Sequence, residues 1–262
     1  MRKLGLKLWT TDFIKNGSLL TEAEKAMKEG IFDYLELYAL PFSFDDAKSS
    51  VVSHFGGQKV VVHAPHNCHG VNIADKNEAE NNKKRLRSSQ EFADLMNSDI
   101  IILHPGMNKG EEYISESIRQ FRGLNDSRLT VENLPSYCST TMSELHGISP
   151  IEIKRFIDEC GAKFCLDFSH AICGANYCNI DVYLFLKEMF DLNPSMYHIC
   201  DGDVNSQNDD HLHFGLGNYN LKRLISDFTN ENGLITMETG SGVPVRIDPW
   251  LNDALYIRNL LG

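Results

Sequence analysis

Short apolar runs alternate with amphipathic segments along the whole chain. Two of these runs, residues 60–62 (Val-Val-Val) and 100–103 (Ile-Ile-Ile-Leu), are apolar at every position. Such runs are typical of parallel strands buried on both faces, whereas half-exposed hairpin strands would alternate. The pattern predicts eight strands, at residues 3–9, 34–40, 59–64, 99–104, 128–134, 163–168, 196–200 and 233–238. A segment with helical periodicity follows each strand, so the chain is expected to contain eight strand-then-helix units.

Helix start signals lie in the connecting segments. Residues 149–152 read Ser-Pro-Ile-Glu, a capping box with proline at the first helical position. Residues 21–24 (Thr-Glu-Ala-Glu) and 248–250 (Asp-Pro-Trp) predict two further helix starts.

Eight such units with right-handed crossovers predict an α/β fold, the (β/α)8 TIM barrel. The 262 residues match the roughly 250 residues of a typical barrel, so we expect residues 1–262 to form a single domain. An open doubly wound sheet could use similar units. No Gly-x-Gly-x-x-Gly follows the first strand, so the dinucleotide-binding version of that alternative lacks its signature.

Composition narrows the setting in which the protein works. The formal net charge of −11 argues against general electrostatic binding of a long nucleic acid, and the basic segment 83–87 is read as a solvated helix face. The chain has neither a signal peptide nor an apolar stretch of about 20 residues, so a cytoplasmic location without a membrane partner is expected. Seven cysteines without a C-x-x-C pair indicate reduced thiols.

Polar residues fall at the ends of the last six predicted strands. Each end carries an imidazole or a carboxylate, and these are His63, His104, Glu132, Asp167 with His170, His198, and Glu238. The loop at residues 209–217 adds Asp209 and His211, together with two glycines that could let the backbone approach a ligand. In a closed parallel barrel all of these strand ends meet at one rim, where the active sites of this fold are built.

A shared site for divalent metal ions is the simplest reason for this clustering. A cation offsets the repulsion between neighbouring carboxylates, which would otherwise take up protons. Mixed histidine and carboxylate ligation suits zinc, manganese or iron better than calcium or magnesium. A single histidine or carboxylate after a strand would more simply be structural, but repetition at six successive ends favours the metal site.

Taken in order, these motifs resemble the endonuclease IV (class II apurinic/apyrimidinic endonuclease) family within the xylose-isomerase-like barrel superfamily. The resemblance covers nearly the whole chain. It is carried by His-Ala-Pro at 63–65, His-Pro-Gly at 104–106, Glu-Asn at 132–133, Asp-x-x-His-Ala at 167–171, His-x-x-Asp at 198–201, Asp-x-His at 209–211 with Gly-x-Gly at 215–217, and Glu-Thr at 238–239.

The resemblance implies a site with three zinc ions. His63 and His104 would hold one ion, and Glu132 would bridge it to a second ion. The second ion would also be bound by Asp167, His198 and Glu238, and the third by His170, Asp209 and His211. His66 also has suitable motif spacing, which leaves the first ligand open between His63 and His66. His63 is preferred because it directly follows the apolar run.

Metal-assisted hydrolysis of a phosphate ester is the activity that the resemblance implies, with Glu132 and Glu238 as catalytic residues. Glu132 would orient the attacking hydroxide, and Glu238 would shape the same site. Four carboxylates would contribute four negative charges and three zinc ions six positive charges. The excess of two positive charges favours an anionic phosphate ester, of which damaged DNA is one candidate.

Two other functions remain open. A sugar or sugar-phosphate isomerase or epimerase of this superfamily would use a single manganese-type ion held by residues matching Glu132, Asp167, His198 and Glu238, with the two glutamates as acid and base. Such enzymes do not need the further ligands, and residues 204–206 (Val-Asn-Ser) lack the expected arginine. The loop at 38–46 carries aromatic residues but no lysine or arginine for DNA. A barrel that binds a metabolite or metal without turnover is the third reading.

Overall fold

The computed structural model describes residues 2–240 and 246–261. Ten strands lie in these ranges: β1 (Lys3–Trp9), β2 (Tyr34–Tyr38), β3 (Val60–His63), β4 (Ile101–Leu103), β5 (Leu129–Glu132), β6 (Tyr137–Cys138), β7 (Ser143–Glu144), β8 (Lys163–Asp167), β9 (Met196–Ile199) and β10 (Leu234–Met237). All except β6 and β7 form one closed barrel, in the order β1-β10-β9-β8-β5-β4-β3-β2.

Every neighbouring pair in the barrel is parallel, and the barrel closes because β1 pairs with both β2 and β10. Gly5 lies opposite Tyr34 on one side of β1, and Lys3 lies opposite Leu234 on the other side. The predicted (β/α)8 barrel is therefore confirmed, and an open doubly wound sheet is excluded. Strands β6 and β7 form a short antiparallel hairpin between β5 and β8 that the sequence pattern did not predict.

Helices follow the barrel strands, but the expectation of eight helices is wrong because two connections contain two helices each. The described part of the chain contains α1 (Thr10–Lys15), α2 (Gly17–Lys28), α3 (Phe44–Phe55), α4 (Ala79–Leu95), α5 (Glu111–Gly123), α6 (Pro150–Cys160), α7 (Phe168–Cys178), α8 (Val182–Phe190), α9 (Leu221–Phe228) and α10 (Asp248–Leu261). Two short 3₁₀ turns, Asn67–His69 and Lys76–Glu78, precede α4.

Cap residues explain two of the helix starts. The predicted capping box at α6 is confirmed: the Ser149 side chain accepts from the Glu152 backbone N–H, and the Glu152 carboxylate accepts from the Ser149 backbone N–H. The predicted start at residue 21 is wrong. Helix α2 begins four residues earlier because Asn16 accepts a hydrogen bond from the Leu19 backbone N–H.

The barrel interior depends on a glycine at its lower end. A Cβ atom on Gly5 would lie 2.3 Å from Cζ of the Tyr34 ring, so only glycine leaves room for this tyrosine inside the barrel. Apolar side chains fill the remaining lower interior. The barrel strands separate this inner cluster from the larger core between strands and helices. The predicted ligand side chains lie above these apolar residues, where the strands end.

The basic segment 83–87 lies within α4. Arg85 forms an ion pair with Glu78 and Arg87 with Glu91, while Leu86 is buried. These pairings agree with a solvated helix face. None of the described helices has the length and apolar character needed to cross a membrane.

Candidate metal centre

A cavity of about 510 Å³ opens at the C-terminal ends of the barrel strands. All nine predicted site residues lie at this end of the barrel. Potential ligand atoms that lie within 4.8 Å of one another form four clusters among the described residues: His63 with His104 and Glu132; Glu132 with Asp167 and His198; Glu36 with His63, His198 and Glu238; and His170 with Asp209 and His211. The first three clusters share residues, and Glu238 is described below with Glu132, Asp167 and His198 because it contacts His198.

The first group joins the ends of β3, β4 and β5. His63 Nε2 lies 3.1 Å from Glu132 Oε2, and His104 Nε2 lies 3.2 Å from the same oxygen. His63 and Glu132 are almost completely buried, and His104 is only partly accessible. Both imidazoles therefore point at one carboxylate oxygen, an arrangement in which a metal ion could lie between them.

The second group shares Glu132 and lies across β5, β8 and β9. His198 Nδ1 lies 3.2 Å from Glu132 Oε1, 3.9 Å from Asp167 Oδ2 and 2.9 Å from Glu238 Oε1. Asn133 ties the ends of β5 and β8 together, since its side chain donates to the Asp167 carbonyl and accepts from the Asp167 backbone N–H. Glu132 thus faces the first group with one oxygen and the second group with the other.

The third group consists of His170, Asp209 and His211. The Nε2 atom of His170 lies 3.1 Å from Asp209 Oδ2, and that of His211 lies 2.6 Å from it. Ser169 donates a hydrogen bond of 2.7 Å to the other oxygen of Asp209 and so fixes the carboxylate. This loop therefore does turn toward the cavity, as its sequence suggested.

Main-chain carbonyl groups set the orientation of three of the histidines. The Nδ1 atom of His63 donates to the Ala64 carbonyl at 2.8 Å, and that of His170 donates to the Asn133 carbonyl at 2.8 Å. His211 Nδ1 donates to the Glu238 carbonyl at 2.6 Å. Because Nδ1 carries the proton in each ring, Nε2 is left to face the group, which is the usual arrangement of metal-ligating histidines.

The glycines of the 209–217 loop have a different role from the one expected. Gly215 and Gly217 donate their backbone N–H groups to Asp201 Oδ2, at 2.8 and 3.1 Å. A Cβ atom on Gly217 would lie 2.4 Å from Asp201 Oδ1. The backbone of these glycines therefore packs closely against the Asp201 carboxylate, which shapes the loop. Neither glycine lines the cavity.

The charges of the site suit a bound cation. Burial raises the pKa of Asp167 to about 7, and the nearby carboxylates of Asp209 and Glu132 act in the same direction against the effect of His170. Burial alone would raise the pKa of Glu132 too, but His198 and His104 hold that pKa well below its usual range. Without metal, these buried carboxylates ionise beside protonated imidazole rings. Metal ions that replace the imidazole protons would supply the same positive charge.

The alternative first ligand, His66, lies outside all of these groups. Its ring stacks on His104 at 4.6 Å between centroids, and its Nδ1 atom lies 2.9 Å from Asn67 Oδ1. The preference for His63 therefore agrees with the positions of the two rings. His66, His69, Trp9 and Tyr38 form an aromatic wall of the cavity.

Two charged residues of the site were not predicted from the sequence. Glu36, in the middle of β2, is completely buried and lies 2.9 Å from His198 Nε2. Lys7, in β1, lines the cavity and forms ion pairs with Glu36 and Glu238. A charged residue within each of these apolar strands was the signal that could have revealed them.

Comparison with known proteins agrees with this architecture. A profile of the xylose isomerase-like TIM barrel family matches residues 24–260. The chain belongs to this family. The predicted superfamily is thereby confirmed, and members of the xylose isomerase-like family are generally enzymes.

A curated relative, the uncharacterised protein MJ1311 of Methanocaldococcus jannaschii, is 25% identical over 204 residues. The match covers 69% of this chain and 64% of that protein, so the chain spans less than two thirds of its relative.

Similar barrels occur among solved structures that are named for different activities. Endonuclease IV from Thermus thermophilus has a TM-score of 0.70 and 22% identity, covering 99% of this chain and 98% of that one. A D-tagatose 3-epimerase-like protein has a TM-score of 0.72 and 18% identity, covering 99% and 97%. At these identities the likeness establishes the fold, and the activity has to be argued from the site.

Proposed function

We propose that this protein is a metal-dependent phosphoester hydrolase of the endonuclease IV type with a trinuclear zinc site. One observation supports the proposal: potential metal ligands form several clusters around one cavity, rather than one cluster. His63 with His104, and His170 with Asp209 and His211, form two groups beyond the one that a single-metal isomerase would need. In this proposal Glu132 bridges the first two groups.

The residues present fit bound metal ions. His104 Nε2 is buried and has no hydrogen-bond partner of suitable geometry among the described residues, although it points at Glu132. Bound divalent ions would stabilise negative charge on the phosphoryl and leaving oxygens and would make water a better nucleophile at neutral pH. Glu132 and Glu238 would orient the attacking water and position the phosphoryl group, and Trp9 and Tyr38 offer a stacked aromatic wall 4.6 Å between centroids.

The substrate in this proposal is an anionic phosphate ester, either abasic-site DNA or a smaller phosphodiester. An acidic protein would attract it through the excess positive charge of the loaded site. The loop after β2, at residues 39–43, exposes Phe42 but contains no lysine or arginine. This favours a smaller ester over a long duplex held by basic side chains.

A second candidate is a mononuclear isomerase or epimerase of sugars that uses a manganese ion. It is favoured by the convergence of Glu132, Asp167, His198 and Glu238, with Glu132 and Glu238 both lining the cavity. These two glutamates could act as acid and base on either side of a sugar carbon.

Metal analysis of the purified protein, combined with assays on abasic-site DNA, a small phosphodiester and a panel of ketoses, separates the candidates. About three zinc ions per chain together with phosphodiester cleavage supports the hydrolase. One manganese ion with epimerisation of a ketose overturns it. A Glu132→Gln variant serves as the inactive control for either reaction, because both require this carboxylate.

A further inference from the structure

Four charged side chains form a closed ring at the floor of the cavity. Lys7 Nζ forms an ion pair with Glu238 and lies 3.1 Å from Glu36 Oε1. His198 lies between the same two carboxylates, with Nε2 2.9 Å from Glu36 Oε2 and Nδ1 2.9 Å from Glu238 Oε1. Each carboxylate therefore contacts both basic side chains, although only His198 and Glu238 belong to the proposed ligand set.

Glu36 is held on three sides. Thr236 Oγ1 donates to Glu36 Oε2 at 2.7 Å, and the Tyr34 hydroxyl lies 2.7 Å from Thr236 Oγ1. The His198 ring and the Lys7 ammonium group complete the environment of a carboxylate that is completely buried. Oε2 of Glu36 therefore has two hydrogen-bond partners, whereas Oε1 lies beside Lys7 without a hydrogen bond of suitable geometry among the described residues. A carboxylate buried in this way is costly to disturb.

The contact with Glu36 decides which nitrogen of His198 faces the ligand group. Because Nε2 donates its proton to Glu36, Nδ1 faces Glu132 and Glu238. A ligating nitrogen must offer its lone pair, so the nitrogen of His198 that does not donate to Glu36 is the one available to a metal ion. Lys7 is then the one ammonium or guanidinium group in contact with Glu36 within residues 2–240 and 246–261.

We propose that Lys7 and Glu36 form a positioning pair for the second ligand group. Glu36 fixes the ring orientation of His198 by accepting the hydrogen bond from Nε2, while Lys7 contacts both Glu36 and Glu238 and holds the two carboxylates in place. The inference rests on the proposed function for the nature of the bound group, a divalent metal ion. Outer-shell partners of ligating histidines typically change metal affinity by about 10–100-fold.

The test compares Lys7→Met, Glu36→Gln, the double variant and Lys7→Arg in the full chain. Zinc affinity is measured by chelator competition, and the visible absorption spectrum is recorded after cobalt replaces zinc. We expect each neutralising single variant to lower the affinity of one ion by about 10–100-fold and to shift the cobalt spectrum. Lys7→Arg keeps the charge and should retain most of the affinity.

The double variant tests whether Lys7 and Glu36 act together. Both single changes break the same contact between Lys7 and Glu36, so the loss in the double variant should be smaller than the product of the two single losses. Lys48→Met is the matched control, because Lys48 is an exposed lysine of α3 paired with Asp45, and it should behave as wild type.

Wild-type affinity and spectrum in both single variants, or losses that simply multiply in the double variant, would overturn the positioning pair. Circular dichroism checks folding, and the near-isosteric Glu36→Gln carries the test if Lys7→Met does not fold. A wild-type protein that binds zinc without cleaving phosphodiesters would overturn the proposed function and leave the affinity comparison valid. A wild-type protein that binds no divalent ion would overturn both.

Discussion

His104 Nε2 and Glu132 Oε2 lie 3.2 Å apart at the ends of β4 and β5. The imidazole nitrogen is buried, yet it has no hydrogen-bond partner of suitable geometry among the described residues. Leaving a buried polar atom unsatisfied costs about 1–3 kcal/mol, so a ligand at this position would remove a real penalty.

Replacing His104 with alanine should therefore lower the metal content by one ion. Stability without metal should fall by roughly 0.5–3 kcal/mol, because the ring stacks on His66 and lies beside the buried Glu132 carboxylate. Metal analysis and denaturation in the presence of a chelator measure the two effects. His54→Ala in α3 is the control, since His54 pairs with Glu24 away from the cavity. Unchanged metal content in His104→Ala would contradict the first ligand group.

His211→Ala is expected to remove one ion and to abolish most of the hydrolysis. Its Nε2 atom lies 2.6 Å from Asp209, and a lost ligand should cost more than the roughly 10–100-fold typical of outer-shell changes. Metal stoichiometry and the rate of phosphodiester cleavage measure the result.

A matched pair of variants separates a ligand role for His211 from a structural one. His211 has a positive φ of 48°, which asparagine tolerates better than alanine, so His211→Asn tests the ligand with less backbone strain. His213→Ala changes a histidine of the same loop that contacts Asp253 instead, and it should keep all ions. Wild-type stoichiometry in both His211 variants would show that the loop is structural.

Removal of metal should destabilise the folded protein. Ions that bind only the folded state contribute about 2.7 kcal/mol when free metal is at 100 times its dissociation constant. Without them the carboxylates of Asp167 and Glu132 remain buried, and that of Asp209 partly buried, within one site. Thermal unfolding with a chelator should show a lower midpoint that zinc restores. A midpoint insensitive to both additions would argue against a resident metal ion.

Asp126 should give the folded state a pH-dependent stability of its own. Hydrogen bonds from Arg128 lower the pKa of this carboxyl to about 2, although burial opposes the shift. Because the folded-state pKa is depressed, the contribution is present above the unfolded pKa of about 4 and is lost as pH falls toward 2.

With allowance for solvent screening, Asp126→Asn should cost about 1 kcal/mol at pH 7 and clearly less at pH 3. Urea denaturation at the two pH values checks this. Asp45→Asn breaks an exposed ion pair with Lys48 and should change stability little at either pH. An equal loss for Asp126→Asn at both pH values would show that the charge is not the cause.

Most of the barrel could be predicted from the sequence because its strands are buried on both faces. Short apolar runs, several of them nearly continuous, located all eight barrel strands, with ends within two residues of those observed. The β6–β7 hairpin escaped notice because residues 137–144 are short, mainly polar and without alternation. The early start of α2 was missed because Asn16 caps the helix without an acidic residue three positions later.

Site residues at the ends of strands could be predicted from the sequence, whereas site residues inside strands could not. His104 and Glu238 stand at strand ends, where the fold builds its sites. Glu36 and Lys7 lie within strands and were passed over as parts of apolar runs. The direction of the His198 ring could not be predicted at all, since it depends on Glu36, which is 162 residues away in the chain.

Three of the imidazoles take their orientation from carbonyl oxygens of Ala64, Asn133 and Glu238. A main-chain carbonyl oxygen remains available as an acceptor when the side chain of its residue is substituted. The orientation of these rings therefore does not depend on which side chains surround them. The loops around the cavity mouth could change for another substrate while the rings keep their orientation.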